Sequence, residues 1–232
     1  MSALSDICIL ISAGAEWRGL LPAFPEAQIE PTPYGDSFES VIDGHNLRFL
    51  RGGWGKVSAA GSTQYAIDRW SPSRIINLGT CGGFKGQVSR GEIILVKKTI
   101  IYDLIEQMAG QDRAIAHYAV DFDLSWLPVP SPQPVTVGTL LSADRDIVPS
   151  EISGLIGKFN AKVADWESGA IAWVAMKNNL PCMILRGVSD LVDLNGGEAY
   201  SDYAFFEKQA KVIMESIAAH LPAWIEAFST AK

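Results

Sequence analysis

The chain has 232 residues, 48% of them apolar and 19% charged, a balance that builds a core and excludes a disordered chain. Lys and Arg number 19 against 26 Asp and Glu, giving a net charge of −7 with no basic block. Nucleic acid or an anionic membrane surface is thereby excluded as the main partner, since each needs clustered cations. The three cysteines, Cys8, Cys81 and Cys182, are odd in number and far apart, which points to free thiols and a cytoplasmic protein.

Cys8-Ile9-Leu10-Ile11 reads as a buried strand; the apolar run from Ile7 is too short for a signal-peptide core, and no run approaches a membrane span of roughly 20 residues. A helical pattern opens at Glu16 and stops at Pro22, and prolines make residues 22 to 36 mostly loop. Residues 41 to 50 predict a hairpin turning near Asp43-Gly44. Gly52-Gly53-Trp54-Gly55 precedes a helix from Val57 to Trp70. A second strand, Arg74 to Leu78, runs into Gly79-Thr80-Cys81-Gly82-Gly83; a third covers 92 to 96 and extends over 99 to 103. Residues 104 to 134 read as irregular. Strands follow at 135 to 141 and 182 to 188, a strand entering a helix at 161 to 174, and a last helix at about 201 to 228. This alternation predicts one α/β domain over residues 1–232, with a largely parallel sheet whose polar strand ends carry the ligand.

Common nucleotide motifs do not fit. Gly52 to Val57 contains Gly-Lys without P-loop spacing, and Gly79 to Gly83 lacks the dinucleotide spacing, so either loop could equally be a tight turn. His45, His117 and His220 lie far apart and near no cysteine pair, so no metal or other cofactor is expected. No Gly-x-Ser-x-Gly supports a serine hydrolase. Glu16, Glu167 and Asp190 are more informative, because each follows a predicted strand. Three carboxylates at one sheet edge make a cleft suited to hydroxyl recognition and proton transfer, although each alone could be a helix cap or a surface acid.

Four ordered segments carry a resemblance. Gly53-Trp54-Gly55-Lys56-Val57, Ile75 to Phe84 followed by Arg90 to Val96, Asp165-Trp166-Glu167-Ser168-Gly169-Ala170-Ile171-Ala172, and Leu180 to Asp190 resemble the motifs of the nucleoside phosphorylase/nucleosidase superfamily. The similarity runs from about residue 7 to 225 and is greatest to the 5′-methylthioadenosine/S-adenosylhomocysteine nucleosidase branch.

The resemblance implies a three-layer αβα sandwich with a mixed, largely parallel sheet, and hydrolysis of a purine N-glycosidic bond in a 5′-modified adenosine. It implies that Asp190 of the Ser189-Asp190 pair protonates N7, that Glu167 accepts the ribose hydroxyls with Trp166 against the sugar, and that Glu16 activates water at C1′ with Thr80 and Arg186. Backbone around Asp146 and Ile147 would meet the base, Tyr200 would cover the 5′ side, and Trp54 would bear on the 5′ group. A homodimer whose partner helps close the 5′ pocket, through residues 100 to 125, belongs to the same implication.

Purine phosphorylases of the superfamily carry Arg where this chain has Asn77, and a Gly-Asp-Pro-x-Arg loop where it has Ser12 to Glu16; Glu there repels an anion, which favours water over phosphate. Futalosine hydrolases resemble Ser-Asn at Ser189-Asp190, so Asp favours adenine. A phosphorylase, or a nucleoside-binding protein without catalysis, is the alternative. One register stays open: a gapless reading sets Trp17 opposite the nucleosidases' catalytic Glu, and a one-residue shift brings Glu16 there.

Overall fold

A computed structural model describes residues 6–108 and 110–230. The chain runs through β1 (Ile7–Ile11), α1 (Gly14–Leu20), β2 (Glu30–Pro31), β3 (Asp36–Ile42), β4 (His45–Arg51), α2 (Gly55–Trp70), β5 (Arg74–Phe84) and β6 (Ile93–Ile101). It continues with α3 (Gln111–Tyr118), β7 (Val120–Asp121), β8 (Thr136–Ser142), α4 (Ile152–Phe159), β9 (Ala161–Asp165), α5 (Ser168–Lys177), β10 (Cys182–Asp193), β11 (Gly196–Gly197) and α6 (Tyr203–Ser229).

One mixed sheet holds all these strands in the order β11-β10-β6-β8-β9-β5-β1-β4-β3-β2, with β7 on β6. The pairs β1–β4, β1–β5, β5–β10, β6–β8 and β8–β9 are parallel. Because β10 also pairs with β5, the strands β5, β9, β8, β6 and β10 close into a ring. The strands of an open sandwich would not meet again in this way; here β5 and β10, 11 and 12 residues long, reach far enough to do so.

Helices cover the sheet on two sides. All of β1 is buried, and period-2 alternation divides it between two cores. Ile7, Ile9 and Ile11 pack with Ile213, Met214, Ile217, Leu221 and Trp224 of α6. Cys8 and Leu10 face the opposite way, toward Ala59 and Ala66 of α2 and Ile171 and Ala175 of α5. This gives the three expected layers.

Local chemistry explains most element ends. The β3–β4 hairpin turns at Asp43 and Gly44, both at positive φ as a two-residue primed turn requires. α2 ends on Ser71 and α4 on Asn160, both left-handed, with Pro72 barring continuation after α2. The expectation of an irregular 104–134 is corrected by α3, which buries only Ile115 and so has almost no apolar stripe to read. No element was expected where α4 stands; its Gly154 and Gly157 weaken the helical signal. β5 does not stop at Leu78 but continues through the glycines to Phe84.

Candidate active site

The neighbouring strands β5 and β10 build one wall of the site. In their parallel register Asn77 pairs with Ile184, Gly79 with Arg186, Thr80 with Gly187 and Gly82 with Asp190. The Arg186 side chain crosses over Gly79, where a Cβ would overlap its Nη1 and lie 2.7 Å from Oε1 of Glu16. Glycine is therefore required at 79 for close approach and not for a turn.

Arg186 is fully buried and anchored on one side. Nε donates to Ser168 Oγ at 2.9 Å and Nη2 to Asn77 Oδ1 at 2.6 Å, and Nη2 also pairs with Asp165 Oδ2 at 3.0 Å. Burial works against its charge, but Asp165, Glu16 and Glu167 more than offset it and raise its pKa. Nη1 has no protein hydrogen-bond partner and lies 4.0 Å from Glu16 Oε1. Asn77 is committed as well, since its Nδ2 donates to the Leu10 carbonyl at 3.0 Å.

Glu16 stands in the first turn of α1, directly after β1. Oε2 reaches back to accept the Ala13 N–H at 3.0 Å, and Oε1 accepts the Thr80 N–H at 2.6 Å and hydroxyl at 2.8 Å. It is 3% exposed. The adjacent Trp17 points the other way, into the core with Phe38 at a centroid distance of 5.4 Å. Of the two registers left open by the sequence, Glu16 is the one whose carboxylate joins Thr80 and Arg186.

Glu167 sits between β9 and α5, two residues beyond Asp165, and accepts the Gly55 N–H at 3.0 Å. Burial first, and then the charge of Asp165, push its pKa up to about 8. Trp166 stacks on Trp54, with ring centroids 4.9 Å apart and planes 24° from parallel; Trp54 itself is 69% exposed.

Asp190 lies further along the same wall. The register of β10 shifts between Val188 and Asp190, a bulge of the kind that re-aims a side chain. Ser189 Oγ donates to Asp190 Oδ1 at 2.7 Å and lies 3.2 Å from the Cys81 carbonyl. Burial raises the Asp190 pKa, and the carboxylates of Glu198 and Asp146 add to it against the Ser189 hydroxyl. Ile147 covers Gly82, leaving only 2.9 Å between its Cδ1 and a Cβ there. Tyr200, expected on the 5′ side, donates its hydroxyl to the Ile147 carbonyl at 2.5 Å and is thereby tied to this loop. Asp146 is exposed beside it.

Gly187 opposite Thr80 and Asp190 opposite Gly82 set Glu16 and Asp190 at stations two β5 residues apart, or about 7 Å along the strand. One station offers a held carboxylate and a guanidinium; the other offers a carboxyl biased toward its protonated form. That pairing suits a reaction in which one group receives a proton as another delivers one. Sequence reading missed Asp165 and Ser168, which orient Arg186, and Lys56, Asp103 and Asp144, which bond one another beside the Gly55 N–H. The carboxylate Asp165 stood in the same quoted motif, two residues before Glu167.

The family profile of the Phosphorylase superfamily matches residues 6–225. The chain is 30% identical over 189 residues to the 5′-methylthioadenosine/S-adenosylhomocysteine nucleosidase of Buchnera aphidicola subsp. Acyrthosiphon pisum (strain APS), across 75% of this chain and 82% of that protein. Its fold is similar to that of the Helicobacter pylori nucleosidase of the same name crystallised with butyl-thio-DADMe-Immucillin-A, with a TM-score of 0.79 and 17% identity over 95% of this chain and 99% of that one. The futalosine hydrolase of Helicobacter pylori strain 26695 is similar too, with a TM-score of 0.79 and 18% identity over the same shares, 95% and 99%.

Proposed function

The chain belongs to the phosphorylase superfamily, and from that premise we propose that it hydrolyses the N-glycosidic bond of a 5′-modified adenosine, such as 5′-methylthioadenosine or S-adenosylhomocysteine, and releases adenine. The observation that carries this reading is the placement of Glu16, buried between Thr80 and Arg186, at one station of the β5–β10 wall, with the protonable Asp190 at the next.

An anionic purine is a poor leaving group, so the base must be protonated as the bond breaks. Asp190 donates that proton at N7, and Ser189 holds the carboxyl by its hydroxyl. As the bond lengthens, positive charge develops on the sugar, and the nearby Glu16 carboxylate stabilises it. Glu16 orients a water at C1′ and takes its proton, with Thr80 fixing the carboxylate and Arg186 Nη1 free to reach the water. Glu167 accepts the ribose hydroxyls, Trp166 lies against the sugar and Trp54 bears on the 5′ group. The Ile147 backbone, held by Tyr200, meets the base beside Asp146.

Water is favoured over phosphate as the nucleophile. Arg186 is already engaged with Asn77 and Asp165 and faces Glu16, so a phosphate dianion there would meet carboxylates. Asp190 favours adenine as the base. We assign the protein to the cytoplasm, in keeping with three unpaired cysteines and with no helix among the described residues long and apolar enough to cross a membrane. A homodimer is part of the same reading, supported by Ile105 and Met108, which are 83% and 97% exposed within residues 100 to 125.

The test is adenine release from 5′-methylthioadenosine and from S-adenosylhomocysteine by the purified protein. Turnover supports the reading. Nucleoside-dependent thermal stabilisation with no turnover would make the chain a binding protein instead.

A further inference from the structure

Lys56 carries no part of the chemistry above, yet its side chain is largely buried in a small network. Its ammonium contacts both carboxylate oxygens of Asp103 and lies 3.8 Å from Asp144 Oδ2. Its own N–H donates to Asp144 Oδ1 at 2.8 Å, and the Asp144 N–H donates to Asp103 Oδ2 at 3.0 Å. Three separate segments therefore meet on one cation: the first turn of α2, the segment just after β6 and the loop after β8. The side chains of Lys56 and Asp103 are 19% and 17% exposed, so the pair is shielded more than a surface ion pair.

The turn that this cation holds needs holding. Gly53 and Gly55 both stand at positive φ, at 85° and 83°, and flank Trp54. No strand pairing fixes these residues. What they present to the site is the Gly55 N–H on Glu167 and the Trp54 indole on Trp166.

We infer that Lys56 is a positioning residue for the sugar-binding carboxylate: by clasping Asp103 and Asp144, its ammonium holds the Trp54-Gly55 turn against Trp166 and Glu167. The inference rests on the reading that Glu167 accepts the ribose hydroxyls. Glu167 is faced by Asp165 from β9, Arg186 from β10, Glu16 from α1 and the Gly55 N–H. The first three are fixed by the sheet and by α1. The fourth depends on the clasp, and it is a donor that favours the ionised form able to accept hydroxyls. Loosening the clasp leaves burial and Asp165 to keep Glu167 protonated to higher pH, which weakens substrate binding more than it slows the bond cleavage.

The experiment compares the full-length wild type with Lys56→Met and Lys56→Arg by steady-state hydrolysis of 5′-methylthioadenosine over about pH 5 to 9. Lys56→Met is expected to raise KM about tenfold, the loss of one charged hydrogen bond, with kcat within about threefold of wild type. The pH at which KM improves should move upward, and Lys56→Arg should restore both. A folded Lys56→Met protein with wild-type KM and an unmoved pH limb would overturn the inference, as would a fall in kcat alone. If Lys56→Met shows no cooperative melt, Asp144→Asn takes its place with the same two readings. A wild-type protein that releases no adenine overturns the hydrolase reading and this inference with it. Wild-type turnover with an indifferent Lys56→Met overturns the clasp alone.

Discussion

Gly79→Ala adds one methyl at the most crowded point of the site. The new Cβ would overlap Arg186 Nη1 and stand 2.7 Å from Glu16 Oε1, and neither neighbour has room to yield. Arg186 is fixed by Ser168, Asn77 and Asp165, and Glu16 by Ala13 and Thr80. Overpacking of this kind costs about 1–3 kcal/mol, which in a chain of this size lowers Tm by roughly 2–12 °C. The displacement falls on the guanidinium and the carboxylate together, and a shift of about 1 Å at reacting groups costs about 100-fold in kcat/KM. Calorimetry and adenine release measure the two effects on one preparation. Gly154→Ala is the control, because a Cβ there has nothing within 4 Å and lies in a helix; it should keep activity and keep or raise Tm. A Gly79→Ala protein with wild-type kcat/KM would refute the placement of Arg186 and Glu16 at the reacting centre.

Three further outcomes are expected. Asp190→Asn should lower kcat about 100- to 10,000-fold while nucleoside still binds, as stopped turnover with retained thermal stabilisation would report; undiminished kcat would remove Asp190 as the acid. Glu16→Gln should abolish turnover with little change in Tm, whereas Trp17→Leu should cost about 3 kcal/mol of stability and leave kcat in its wild-type range, since one side chain faces the site and the other the core. The reverse pattern would restore the gapless register. Finally, Glu167 titrates near 4.5 in an unfolded chain and at about 8 in the folded one, so between these values the native state holds a proton that the unfolded state has lost. Stability should therefore fall as pH rises through about 4.5 to 8, and Asp190, also raised, adds in the same direction. Denaturation series at several pH values should show that slope in the wild type and a shallower one in Glu167→Gln.

Periodicity and composition made the α/β class legible, because β1 and α6 bury regular apolar positions that any folded arrangement must cover; the three layers came from the resemblance. They did not reveal α3, which buries only Ile115 and so shows almost no apolar stripe. The ring closure was illegible for a related reason: strand pairing between β5 and β10 is a long-range fact, and the glycines that permit it also look like the end of a strand. At the site, Glu167 and Asp190 were readable because each follows a predicted strand, and Arg186 because it stands in a segment that resembles the superfamily's motif. Glu16 was only half readable, since two adjacent residues competed and a side chain's direction follows from the helix turn that presents it. The Lys56 clasp joins residues 56, 103 and 144, and no local pattern connects positions so far apart.

The most direct measurement is the dependence of glycosidic cleavage on phosphate. The protein is incubated with 5′-methylthioadenosine in buffer freed of phosphate and again with phosphate added, and both products are identified by mass. Adenine and free 5-methylthioribose at the same rate in both buffers are the expected result for a site built around Glu16 and Arg186. Cleavage only when phosphate is present, with the sugar leaving as its 1-phosphate, would contradict it.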